Sequence, residues 1–250
     1  MALIERPLYT VSSKAAIQLD IDQPLVDRIW INGLNSLTPP TLDRGTFDVQ
    51  EFGKVSLTVA GLPLFGMMSC GGNFIFGDAG QSNLANKLVL QTEFTNMAVY
   101  LLRDLSDYTN DIIMLPDLAN DPESKFQVKQ VSPGAGNVNA VYPGTFEFTA
   151  EGLMVYTTVH LSDVGGPDIT FTAGTPDTIT DASSRFVTSG FESGMTLYIE
   201  DTAGTGTNFR KMGVIDTVAA GTLTMEEDNN LVTDAVGSAT YILRAGKFGV

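Results

Sequence analysis

Few side chains in this sequence are of the kinds that do chemistry, and they stand far apart. The single histidine, His160, falls in the alternating run Met154–Leu161, on the side opposite Val155 and Val159. As a general base it would need an orienting carboxylate, which this pattern does not supply, so it reads as a surface or interface residue. The single cysteine, Cys70, lies in Met67-Met68-Ser69-Cys70-Gly71-Gly72 with no His, Lys or Arg beside it. It reads as a small buried thiol rather than a nucleophile, and one cysteine excludes an internal disulfide framework. Glu226-Glu227-Asp228-Asn229-Asn230 offers the oxygen ligands calcium takes, but these residues also make an ordinary solvated turn after a strand. There is no GxSxG elbow, HExxH, paired CxxC or EF-hand loop, and Gly134-Ala135-Gly136 lacks the third glycine and following helix of a dinucleotide loop. No catalytic, cofactor-binding or metal residue is assigned, and the expectation is a chain that is not an enzyme and uses no cofactor.

The balance of charge narrows the partners. With 14 Lys/Arg against 29 Asp/Glu the chain carries −15, shared as −8 over residues 1–160 and −7 over 161–250. Acidity spread in this way belongs to folded surfaces rather than to a tail. It argues against a surface that grips nucleic acid, because such a surface must displace phosphate counterions with Lys and Arg, and the densest basic spot is the pair Arg210-Lys211. A hydrophobic content of 43% argues against wholesale disorder. The opening MALIERPLYT does not read as a secretory signal, and no apolar run is long enough to span a membrane. The expectation is a soluble product made in the cytoplasm.

The elements that would position any site are mostly strands. Val55, Leu57 and Val59 alternate with Lys54, Ser56 and Thr58, Phe146 and Phe148 with Thr145, Glu147 and Thr149, and Val155, Val159 and Leu161 share one side of the next run. A helix is predicted at about 79–91, after Asp78 as N-cap, with Gln81 completing a capping box and Leu84 and Leu88 on one face. A weaker helical turn is predicted over Leu102–Asp111. Gly and Pro concentrate in Ser162–Pro176, so two units are expected: residues 1–165, and a small all-β unit over 166–250 ending in an extension. Strand candidates in the second unit are Met195–Ile199, Lys211–Val218, Thr222–Glu226 and Ala239–Leu243. The class is mainly β, a β-sandwich or barrel-like scaffold with one or two short helices.

One segment does not fit a plain scaffold. Asn32 to Gly53, NGLNSLTPPTLDRGTFDVQEFG, reads as a polar loop of about twenty residues, and compact domains rarely keep such loops without a use. Its contact candidates are Pro39, Pro40, Asp43, Arg44, Phe47, Asp48, Glu51 and Phe52, while Trp30 and Phe47 also read as packing anchors. Met1–Ser13 and the end after Leu243 are extended enough to pair with a neighbour's strand edge.

In order, a strand at Leu25–Ile31, this loop ending in FDVQEFG, a strand at Lys54–Val59, GNFIFG, the helix after Asp78 and a hairpin over Phe126–Gly152 resemble the tail tube (major tail) proteins of long-tailed, siphovirus-like bacteriophages. The resemblance covers about residues 1–160. Residues 166–250 are similar to a small β-module recurring in phage structural proteins. The resemblance implies hexameric rings stacked into a hollow virion tail tube, the conduit for DNA ejection. Each loop would contact the next ring, and the second unit would sit outside. Partners implied are other copies of the chain and the terminator, distal tail and tape measure proteins, with DNA passing unbound and no membrane involved. Polar residues on wet strand faces, namely Ser56, Thr58, Thr145, Glu147 and Thr149, are the lumen candidates. Alternatives are another phage part (tail terminator, connector or decoration protein), a carbohydrate- or receptor-binding β-module, or, more remotely, a hydrolase built on a carboxylate pair.

Overall fold

A computed structural model describes residues 16–21, 23, 27–38, 42–49, 57–90, 93–94, 96–102, 112–134, 142–162, 168–201, 206–226, 231–234 and 240–248; for 42–49, 57–65, 102 and 248 the description is of backbone alone. The chain is mainly β. In order come β1 (Ala16–Leu19), β2 (Ile29–Trp30), β3 (Leu34–Thr38), β4 (Leu42–Val49), β5 (Leu57–Phe65), β6 (Met67–Phe74), α1 (Ala79–Leu90), β7 (Glu93–Phe94), β8 (Ala98–Leu102), β9 (Ile112–Pro116), β10 (Lys125–Pro133) and β11 (Tyr142–Glu151). Then follow β12 (Met154–Ser162), β13 (Ile169–Thr172), β14 (Thr178–Asp181), α2 (Phe186–Ser189), β15 (Thr196–Asp201), β16 (Met212–Ala219), β17 (Thr222–Met225) and β18 (Tyr241–Phe248).

Three sheets result: eleven strands in the order β13-β14-β17-β16-β15-β18-β12-β9-β8-β1-β2, five in the order β3-β6-β11-β10-β7, and the pair β4-β5. In the five-stranded sheet β11 alternates cleanly, while β10 and β3 each carry a bulge, between Val128 and Gln130 and between Leu34 and Ser36. Phe146, Phe148, Met68, Cys70, Phe126 and Val128 point inward and meet Ile17, Leu19, Val99, Met114 and Met154 from the long sheet, with Leu84 of α1 closing the layer. That is a β-sandwich core with a helix at its side.

The long sheet is strongly curled. From β15 to β1 is five strand steps, roughly 24 Å if flat at ~4.8 Å each. Yet Tyr198 of β15 donates its hydroxyl to the carbonyl of Ile21, just past β1, at 2.8 Å. Inside that curl lie Ala16, Trp30, Tyr100, Ile113, Leu115, Val155 and Tyr198, and Trp30 packs at 5.0 Å on Tyr100, as its anchor reading expects. Between the same walls is a clasp of three charges: Glu200 accepts from Arg28 Nη1 at 2.6 Å and from Arg244 Nε at 2.5 Å. All three side chains are at most 2% exposed. Gln18 Oε1 accepts in turn from Arg28 and from the Tyr100 hydroxyl. On the opposite face Phe171, Ile179, Phe186, Leu197, Ile215, Leu223 and Leu243 form a further core around which β13, β14 and β17 fold back.

Several expectations need correction. A bulge between Thr157 and Val159 reverses the parity of β12. Val155 therefore joins the core inside the curl, whereas Val159 and Leu161 pack on the opposite side. Alternation counted without the bulge placed all three together. Helix α1 starts where Asp78 caps it, with the Gln81 amide donating to Asp78 Oδ1 at 2.8 Å. Its capping box is not formed. The buried Gln81 carboxamide instead accepts from the Ile75 amide and donates to the carbonyls of Asn32 and Asn73. The helix start is thereby bolted to the ends of β2 and β6. Leu102 ends a strand rather than beginning a helical turn, and 103–111 lie outside the described residues. Of the strand expected at Leu25–Ile31 the structure shows the two-residue β2, and 24–26 lie outside the described residues. In the C-terminal part β15 to β18 match the four strand candidates to within a few residues, apart from the longer reach of β18. Strands β13 and β14 and helix α2 have no counterpart among the predicted elements. No helix among the described residues is long and apolar enough to cross a membrane.

Candidate assembly surfaces

The segment read as a loop is built differently from that reading. It contains two strands: β3 pairs with β6 and β4 with β5. Thr38 faces Ser69 and Leu42 faces Phe65, so both pairs lie on one antiparallel register, while β5 and β6 are separated by Gly66 alone. The arm is therefore a two-stranded ribbon that continues the β3–β6 pair beyond the five-stranded sheet for about 30 Å, nine residues at ~3.3 Å each. The sequence misled because Pro and Asp suit a two-stranded ribbon, where no strand is central and no face has to be apolar. Asp43 faces Leu64, Arg44 faces Pro63, Phe47 faces Val59 and Asp48 faces Thr58, with a bulge between Arg44 and Thr46. Pro39, Pro40, Glu51, Phe52 and Ser56 lie outside the described residues.

The outward face of the five-stranded sheet is mostly small and polar, with Met67, 52% exposed and opposite Thr149, as an apolar member. β11 supplies Thr145, Glu147 and Thr149, and cross-strand register sets Gln130 and Ser132 of β10, Ser69 and Gly71 of β6, and Ser36 and Thr38 of β3 beside them. Among these, Glu147 is the one charge. At one end of the face Lys125 bonds Glu93 Oε2 at 3.0 Å and lies 4.0 Å from Glu151. The Glu93 hydrogen bond holds the lysine above its usual pKa, and Lys125 with Gln127 holds Glu93 below the ordinary carboxylate range. Lys129 donates to Gln127. Of the lumen candidates, Thr145, Glu147 and Thr149 thus share a face, whereas Thr58 belongs to the ribbon's separate sheet.

Among the described residues the sheet has two open edges, β3 on one side and the two-residue β7 on the other. Its end opposite the ribbon carries an aromatic group that sequence reading passed over. Phe76, 72% exposed, packs edge-on against Phe74 at 5.2 Å and against Tyr142, 40% exposed, at 5.6 Å. The available signal was Phe76-Gly77, an aromatic immediately followed by a turn glycine at φ +85°.

The residues first considered for chemistry are placed otherwise. His160 faces Arg244 across the β12–β18 ladder. Cys70 is fully buried in the sandwich core, and burial pushes its thiol up to about 12. Glu226 is exposed, with its amide bonded to the Val214 carbonyl. Glu227 and Asp228 lie outside the described residues, and no group of three His, Cys, Asp or Glu among those described is arranged to hold a metal. Buried acids in the C-terminal part serve the backbone and the core: Asp177 accepts from the amides of Gly174 and Leu231, and Asp234 from Thr207 and Tyr241.

No protein-family model matches the chain, and no curated protein does. Among solved structures it is similar to the tube-terminating cap of an anti-feeding prophage, at 9% identity over 63% of this chain and 95% of that one, TM-score 0.39. It is also similar to a chain of the virion of a native gene transfer agent particle, at 15% identity over 58% and 95%, TM-score 0.38. A third is Hcp1 from Salmonella typhimurium, at 14% identity over 67% and 95%, TM-score 0.33.

Proposed function

We propose that this chain is a tail tube subunit: a structural protein that assembles with copies of itself into stacked, hexameric rings forming the hollow tail of a siphovirus-like phage. The observation that carries the reading is the combination of a two-edged sheet, polar on its outward face, with a ribbon extending from one of its edge pairs. Side-by-side copies can pair β3 of one with β7 of the next, removing both open edges. The outward faces of such a ring form a continuous lining of Ser, Thr, Gln and Glu in which Lys125 is bound by carboxylates. Among the described residues DNA phosphates meet few cations there, Lys125 being bound by carboxylates and Lys129 donating to Gln127, and so slide, which is what a conduit for ejection needs. The ribbon then reaches the adjacent ring. Terminator, distal tail and tape measure proteins complete the partners, the C-terminal residues 166–250 lie on the tube exterior, and the place of action is the virion.

The test is assembly. Electron microscopy of the purified chain over a range of concentrations should show rings or tubes, and a persistent monomer would reject the reading. Because Thr38 and Ser69 face each other, residues 40–66 can be replaced by a short turn without removing any residue of β3 or β6. That variant should fold and form no long tubes.

A further inference from the structure

We infer that the aromatic group Phe74, Phe76 and Tyr142 is the seat for the β4–β5 ribbon of another copy of this chain, an inference that rests on the tube reading. Two surfaces are left largely uncovered by the described residues, although β5 comes near β11 at the base of the ribbon. A two-stranded ribbon is at best marginally stable in water without a surface to pack on, and β4 and β5 bond only to one another among the described strands. At the other end of the sheet, Phe76 and Tyr142 expose aromatic faces, and Phe74 beneath them stacks on the core residue Phe146 at 6.5 Å.

Their relative placement selects the occupant. The ribbon leaves β6 at Met67, whereas Phe74 closes β6 at its far end and Tyr142 is its register partner. The eight residues of β6 hold the two surfaces roughly 25 Å apart at ~3.3 Å per residue. They point away from each other along one strand, so a subunit cannot close on itself, but copies stacked along that axis bring the ribbon of one to the aromatic end of the next. A contact between two different patches of identical subunits is heterologous and repeats without end, as a filament requires. Sequence chemistry agrees, since Phe47, Val49, Leu57 and Val59 give the ribbon apolar positions to set against an aromatic surface.

The experiment places a benzophenone photocrosslinker at position 76 of the full-length chain and maps the crosslinked peptide in assembled material by mass spectrometry. Crosslinks from position 76 of one copy to residues 42–65 of another are expected. In parallel, Phe76→Ser should lower thermal stability by only a few degrees, because the ring is mostly solvated and loses only its edge contacts with Phe74 and Tyr142, while raising the concentration needed for tubes roughly tenfold or more, the worth of one buried aromatic. If wild-type tubes form but position 76 crosslinks elsewhere, or Phe76→Ser assembles like wild type, the seat is refuted and the tube reading stands. If the wild-type chain never assembles, both fall.

Discussion

Replacing Glu200 by alanine is the sharpest probe of how the curled sheet is held. The carboxylate lies between two guanidinium groups, at 2.6 Å from Arg28 and 2.5 Å from Arg244, inside a space where none of the three exceeds 2% exposure. Removing it takes away the carboxylate that both guanidinium groups share, and breaking a buried pair in this way costs about 3–5 kcal/mol. For a chain of this size each kcal/mol is worth about 2–4 °C, so the melting temperature should fall by roughly 6–20 °C. Differential scanning calorimetry of both proteins measures it, with circular dichroism confirming that the variant folds at low temperature. Replacing all three residues by apolar ones of similar volume should recover most of the loss, since desolvation of the ions no longer opposes folding. The pH dependence is a second reading. Burial alone would raise the Glu200 carboxyl, but the charges of Arg244 and Arg28 and their hydrogen bonds outweigh it and hold the group at about 2 against an ordinary 4.5. A folded-state value below the unfolded one means that the stabilisation is complete above about pH 4.5 and is lost as pH falls toward 2. Glu200→Gln should therefore show less acid sensitivity than wild type through that window. A loss below about 1 kcal/mol for Glu200→Ala, the worth of an exposed ion pair, would refute the reasoning.

Cys70, buried with its thiol raised to about 12, should resist a thiol-reactive dye in the native protein and react fully once unfolded. Gln81→Leu removes the partner of the Asn32 and Asn73 carbonyls and of the Ile75 amide, and chemical denaturation should show a loss of about 2–4 kcal/mol. Asp78→Ala removes the helix cap and also the acceptor of the Asn32 carboxamide at 2.7 Å, and should cost about 1–2 kcal/mol in the same assay. At Gly246 an added Cβ would overlap the Tyr156 carbonyl at the bulge of β12, so Gly246→Ala should lose about 3 kcal/mol or fail to accumulate in soluble form.

What could be read from the sequence was whatever repeats locally. The alternation of Phe146 and Phe148 with Thr145, Glu147 and Thr149 gave both the core face and the polar face of β11, and Asp78 gave the start of α1. What could not be read depends on partners distant in the chain. The curl that joins Arg28 to Glu200 spans 172 positions, and a lone Arg28 carries no sign of it. The bulge in β12 adds one residue and reverses all parity after it, which pattern counting does not detect. The ribbon was legible as an anomaly of length and polarity but not as strands, because two strands that cover each other's edges need no apolar face.

The shared register of β3–β6 and β4–β5 has a consequence for how such a chain can vary. An extension of two residues in both strands, placed between Leu42 and Thr38 on one side and between Phe65 and Ser69 on the other, would lengthen the ribbon by about 6.6 Å without turning any side chain to the opposite face. An unmatched single insertion would rotate everything beyond it. Reach and facing are therefore separable properties of this arm, and sequence change in related chains is expected there as matched pairs of residues across the ribbon.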